Sequence, residues 1–248
     1  MGPYGSLNSP LTIKGSGVRS NILELDSQIA ISPDGEQLAL LNESDGNLKL
    51  VHAATGVGMD EIAGVAVIGW DPQSDATLGI AFADGKVQRK SKAGKIELNG
   101  IMLKEGTKFK SLNFFSENWS NPATPPVRYV MVQTEDSVAG RVFFVPIGNE
   151  GEKLDDNNKT WQQSIGRGLK LRASPTDSVF VTGEDSGTVT VWFANPTWEK
   201  AGRLFDLEGH QGAGIECIAF SNDGTTLMTS DRNNRLFGWL TVDVRTGK

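Results

Sequence analysis

Ile218-Ala219-Phe220-Ser221-Asn222-Asp223-Gly224 is answered ten residues later by Asn234-Arg235-Leu236-Phe237-Gly238-Trp239. The first stretch alternates apolar and neutral residues and then runs into a turn. The second resumes after a residue that tolerates the left-handed conformation. The same arrangement recurs along the chain, with anchors at Ser32, Asp71, Ser116, Ser174 and Ser221 and answering residues at Gly46, Gly85, Gly140, Gly187 and Asn234. Anchors follow one another by 39, 45, 58 and 47 residues. A period of that size, built from strand-like pieces, predicts a radial or stacked array.

Each unit reads as four strands. Three residues before the anchors stand Ile29, Ile68, Asn113, Leu171 and Ile218; one residue before stand Ile31, Trp70, Phe115, Ala173 and Phe220. Apolar residues at period two predict a strand with one face buried. Turns such as Ser32-Pro33-Asp34-Gly35 follow, then a second strand such as Ser178–Thr182. Past the Gly or Asn comes a third strand: Asn47–Val51, Lys86–Lys90, Arg141–Val145, Thr188–Trp192 or Arg235–Trp239. Linker pieces such as Lys95–Leu98, Thr160–Gln163 and Arg203–Leu207 supply a fourth. Four antiparallel strands per repeat predict an all-β fold, a β-propeller of four-stranded blades.

These residues resemble the WD-repeat β-propeller family. The likeness rests on Gly209-His210 with Ile218–Gly224 and Trp239, on Val181–Trp192 in the fourth unit, and on Ser32-Pro33-Asp34-Gly35 in the first. It spans about residues 11 to 245 and fades in units two and three. Trp192 and Trp239 keep the family's third-strand Trp, while Val51, Lys90 and Val145 replace it. The five units, read with the resemblance, predict one propeller over residues 11–248 closed into a five-bladed ring, fewer than the seven blades most common in the family. The Gly/Pro/Ser-rich residues 1–10 are expected to be a flexible segment. The alternative is an open or partial propeller completed by a partner chain. The resemblance also implies that Leu11-Thr12-Ile13-Lys14 pairs with the third strand of unit five, and that His210, Thr229, Asn233 and Trp239 form a structural network. Asn233 stands where the family usually has Asp. The implied role is a non-catalytic scaffold for protein–protein interaction within a larger assembly. A reader of a short peptide or modified residue through the central channel is the alternative.

Composition bounds the chemistry. The 248 residues carry a net charge of -6, which repels phosphate backbones and argues against nucleic acid. Cys217, the single cysteine, has no internal disulfide partner and points to the cytoplasm or another reducing intracellular compartment. Lying beside Ile218 and Phe220, it is expected to be a buried small hydrophobe. Met1–Pro10 is Gly/Pro/Ser-rich without an apolar core and is not expected to be a secretory signal, and no apolar run reaches the roughly 20 residues of a membrane helix. No nucleophile elbow, phosphate-cradling loop or metal-ligand spacing occurs, so neither an enzyme nor a cofactor is expected. Asp155-Asp156 and Glu184-Asp185 read as turn carboxylates, and His52 as a surface or turn residue. The basic run Lys86–Lys95 lacks aromatic residues for base stacking and reads as a solvated sheet edge. Arg167, Lys170 and Arg172 form a smaller cluster where a fourth strand passes into the next blade.

Candidate partner-binding residues lie in loops. Ser116–Pro126 adds about ten residues to a turn that other units make tightly, and places Trp119, Pro125 and Pro126 outside any strand. Trp198 occupies a polar loop between third and fourth strands of the next unit. First-to-second and third-to-fourth connections of a propeller emerge on one face, so both tryptophans are expected to anchor one protein contact there. The opposite face, led by Arg167 and Arg19, is the second candidate.

Overall fold

The computed structural model describes residues 27–240, apart from 75, 92–93, 99–100, 102–106, 118–126, 148–159, 197–199, 211 and 222. The segments 1–10 and 11–14, and with them the strand pairing expected of Leu11–Lys14, lie outside the described residues.

Every described strand belongs to one of five antiparallel sheets, each wound in chain order. The first holds β1 (Ser27–Ile31), β2 (Gln37–Asn42), β3 (Asn47–His52) and β4 (Gly58–Ile62). The second holds β5 (Val65–Trp70), β6 (Leu78–Phe82), β7 (Val87–Ser91) and β8 (Gly94–Leu98). The third holds β9 (Lys108–Glu117), β10 (Val127–Glu135), β11 (Gly140–Pro146) and β12 (Trp161–Ile165). The fourth holds β13 (Lys170–Ala173), β14 (Val179–Gly183), β15 (Val189–Asn195) and β16 (Lys200–Leu207). The fifth has three described strands, β17 (Ile215–Phe220), β18 (Thr226–Asp231) and β19 (Leu236–Leu240). The fold is all-β and consistent with a β-propeller: β1, β5, β9, β13 and β17 together line one central cavity.

The anchors are structural. The backbone N–H groups of Ser32, Asp71, Ser174 and Ser221 donate to Gln37, Thr77, Val179 and Thr226 at 2.8–3.0 Å, pinning the start of the second strand. The Ser32 and Ser221 hydroxyls each also accept the N–H of that residue at 2.9 Å. The turn glycines carry the positive φ expected at Gly46 (69°), Gly85 (90°) and Gly187 (87°), and Asn234 adopts φ 58° in their place. Gly140 differs. It lacks the positive φ, and a Cβ there would collide with the Gly166 carbonyl, so close approach of two chain segments requires it.

Sheets pack face to face through four apolar clusters. Ala39, Leu41, Leu48 and Leu50 of the first meet Ile68, Leu78 and Ile80 of the second. Val67, Ala81 and Val87 of the second meet Leu112, Phe114 and Val130 of the third. Phe115, Met131 and Phe144 meet Leu171, Ala173 and Phe180 of the fourth, and Val179, Val181 and Val191 meet Ile218 and Leu227 of the fifth. Backbone bonds stitch the joints: Val65 N–H donates to Gly46 O at 2.9 Å, and Trp70 Nε1 donates to Ala30 O at 3.0 Å.

Two expected inward faces are corrected. In the third sheet β9 continues through Ser116 to Glu117, so Ser116 pairs with Arg128 inside the ladder and opens no turn. Leu112 and Phe114 then face the second sheet, and Phe115 faces the fourth. One residue of shift reverses every side chain of a strand. In the first sheet Ile29 and Ile31 are 50% and 59% exposed. In the second, fourth and fifth sheets the matching positions pack against the preceding sheet; nothing described precedes β1 there. The far face of the fifth sheet mirrors this, with Leu236 and Leu240 66% and 63% exposed. The apolar faces at the two ends of the array are thus uncovered among the described residues.

Candidate interaction faces

The loop face is defined by the strand ends that support it. β9 ends at Glu117 and β10 begins at Val127; β15 ends at Asn195 and β16 begins at Lys200. In each four-stranded antiparallel sheet these connections leave the same end as the anchors. Trp119, Pro125, Pro126 and Trp198 lie outside the described residues, as does Arg19. Their footing is well fixed. Arg128 Nη2 bonds the buried Asp71 at 2.5 Å, with its guanidinium over the Phe114 ring at 5.9 Å from the centroid. Gln73 Nε2 donates to the Pro175 carbonyl, joining the second and fourth sheets across the cavity mouth. These bonds make the anchor end a rigid base for the longest connections.

The structural network is complete, with one correction. His210, fully buried, places Nε2 2.7 Å from Thr229 Oγ1 and Nδ1 2.9 Å from Asp231 Oδ2. Trp239 Nε1 donates to the same Thr229 hydroxyl at 3.0 Å. The arrangement suits a His210 that carries its proton on Nδ1 and receives the Thr229 hydroxyl proton at Nε2. The carboxylate is Asp231, whereas Asn233 contributes its backbone N–H, donated to Asp231 Oδ1 at 2.9 Å. The two-residue difference follows from the turn, in which Asp231 closes β18 and collects the donors behind it. Burial pushes the Asp231 pKa up, but hydrogen bonds from His210, Arg235 and Asn233 outweigh it and hold the group at about 2. Phe237 completes the box, edge-on to His210 at 4.5 Å. Trp192 Nε1 repeats the motif in the fourth sheet by donating to Thr182 Oγ1 at 2.8 Å.

Other residues resolve plainly. Lys90 and Lys95 reach Asp60 on the neighbouring sheet at 3.0 and 3.6 Å, and Lys86 pairs with Asp84 at 3.2 Å. Three cations of the basic run are thus salt-bridged at a sheet edge, while Arg89 Nε has no hydrogen-bond partner among the described residues. Asp185 meets Arg232 at 2.7 Å, while Asp155 and Asp156 lie outside the described residues. His52 ends β3 half-buried, its Nδ1 without a partner. Cys217 is exposed, contrary to its expected burial, because Ile218 packs against the fourth sheet and strand alternation leaves Cys217 on the other face. Arg167 is exposed, 3.8 Å from Glu135 at the end opposite the loop face. Sequence reasoning missed Asp231; its signal was a buried-type carboxylate two residues past Thr229, on the same strand face.

Among the described residues no group of three or more His, Cys, Asp or Glu could hold a metal ion, and no helix is long and apolar enough to cross a membrane. No curated protein matches the chain. Residues 202–239, running from β16 through β19 and holding the His210 network, match the family described as WD domain, G-beta repeat, which supports the WD-repeat resemblance of the chain.

Proposed function

We propose that the protein is a non-catalytic scaffold that holds a protein partner within a larger assembly, through the loop face. The WD-repeat match supports a protein-interaction role in general terms. One observation carries the finer reading. The two connections bearing Trp119 and Trp198 leave the same end of neighbouring sheets, and Arg128 at the start of β10 is tied there to the buried Asp71. A fixed base under loops with large aromatic residues is the arrangement of an interface anchor. Proteins are the partner class, rather than nucleic acid, because the net charge is -6 and Lys86, Lys90 and Lys95 of the main basic run are paired with Asp84 and Asp60. The lone Cys217 suits a reducing intracellular compartment, the setting proposed here. The test is a Trp119→Ala, Trp198→Ala variant of the full chain. Loss of about 2 kcal/mol or more of partner affinity with an unchanged melting temperature supports the reading. Full retention of the partner overturns it.

A further inference from the structure

At the end opposite the loop face, the first strands of the third, fourth and fifth sheets enclose a cavity of about 300 Å³. Three cations line it: Lys110 on β9, and Lys170 and Arg172 on β13. None of them forms an ion pair with a carboxylate among the described residues. Both carboxylates in the lining are already engaged. Glu135 accepts the Gly168 N–H at 2.7 Å and faces Arg167, while Glu216 is bonded by Arg232 Nε at 3.1 Å. Gln133 is engaged as well, accepting from Ser111 and donating to the Leu169 carbonyl, each at 2.9 Å. Arg172 spends one nitrogen on the Leu171 carbonyl at 2.9 Å and keeps its other donors for the cavity. It is exposed along the cavity, yet enough protein surrounds it that burial lowers its pKa. Its position has no packing reason to be arginine. The matching places in the other first strands are Ala30, Gly69, Asn113 and Ala219, none of them charged.

We propose that this cavity binds an oxyanion, a carboxylate or phosphate, presented by an acidic peptide segment of a partner protein. Arg172 supplies the fork of parallel donors, and Lys110 and Lys170 supply the surrounding field. A peptide fits better than a nucleic acid strand, since no aromatic ring among the described residues lines the cavity to stack on bases. This site is separate from the loop face and stands whether or not that face binds.

Fluorescence anisotropy with fluorescein-labelled hexaglutamate tests it on the full chain. The unaltered protein is expected to bind, more weakly as salt rises. Arg172→Met with Lys170→Gln should weaken binding about tenfold or more, as loss of a charge-assisted hydrogen bond does. Lys110→Gln, at an exposed position, serves as the second variant should the first not fold, and should weaken binding about threefold. Lys49→Gln on the first sheet should change nothing. Cys217 lines the same cavity and reports location: bound hexaglutamate should slow its alkylation by iodoacetamide. Displacement of the probe by inorganic phosphate at equal concentration would identify free phosphate as the source of the oxyanion. Equal binding by the Arg172 variant, unchanged alkylation of Cys217, or preference for an oligothymidylate over hexaglutamate would each overturn the proposal.

Discussion

Thr229 accepts from Trp239 while its own hydroxyl proton goes to His210, so one side chain ties β18 to β19 and to the segment preceding β17. Thr229→Val keeps the shape and removes both bonds, leaving His210 Nε2 and Trp239 Nε1 without their Thr229 partner while Asp231 still holds Nδ1. A cost of about 1–3 kcal/mol is expected, seen in thermal unfolding as a fall of roughly 2–4 °C per kcal/mol for a chain of this size. Asp231 carries a pH signature of its own. Its folded pKa of about 2 lies below the ordinary 3.8, so its contribution is full above about pH 4 and is lost as pH falls toward 2. Asp231→Asn should therefore be less stable than the unaltered chain at neutral pH, with the gap closing in acid; urea unfolding at several pH values measures this. The residues His210, Thr229 and Trp239 were legible in the sequence through the resemblance to the WD-repeat family. Asp231 was not, since the partner of a buried histidine is chosen by the turn geometry that gathers donors, and the resemblance pointed two residues further on, to Asn233.

Strands and turns were legible wherever local chemistry decided them. Four of the five turn positions hold the left-handed backbone that Gly or Asn permits. Two glycines separate the costs of conformation and of crowding. At Gly35, φ is 73° and a Cβ would meet nothing within 4 Å, so Gly35→Ala should cost only the left-handed penalty of about 1–2 kcal/mol. At Gly187, φ is 87° and a Cβ would come 2.7 Å from the Ala213 carbonyl, which belongs to the crossing into the fifth sheet. Gly187→Ala should cost clearly more, and denaturant midpoints of the two variants make the comparison. Gly140 and the register of β9 could not be read from sequence, because both depend on how neighbouring segments approach. An apolar Leu112-Asn113-Phe114-Phe115 offers either face to a core, and the second sheet, by taking Leu112 and Phe114, settles which.

Five sheets around one cavity place the first and last at the ends of the array, each with an uncovered apolar face. Ile29, Ile31, Leu236 and Leu240 are the cost of leaving that seam unfilled, and the third-strand edge of β19 has no described neighbour. The closed-ring reading holds that Leu11–Lys14 pairs with β19 and brings these faces together. Deletion of residues 1–14 should then lower the melting temperature and speed amide exchange in β19, and an unchanged pattern would favour completion by a partner chain. The repeat period made the array legible from sequence, whereas closure rests on contacts between distant chain ends that no local pattern encodes. The central claim is that the protein works by holding a partner on its loop face. The most direct measurement is the stoichiometry of the complex purified from its native source with the unaltered chain and with the Trp119→Ala, Trp198→Ala variant in parallel. A stoichiometric protein partner present with the first and absent from the folded second is the expected result; the same partner retained at full stoichiometry by the variant would contradict the account.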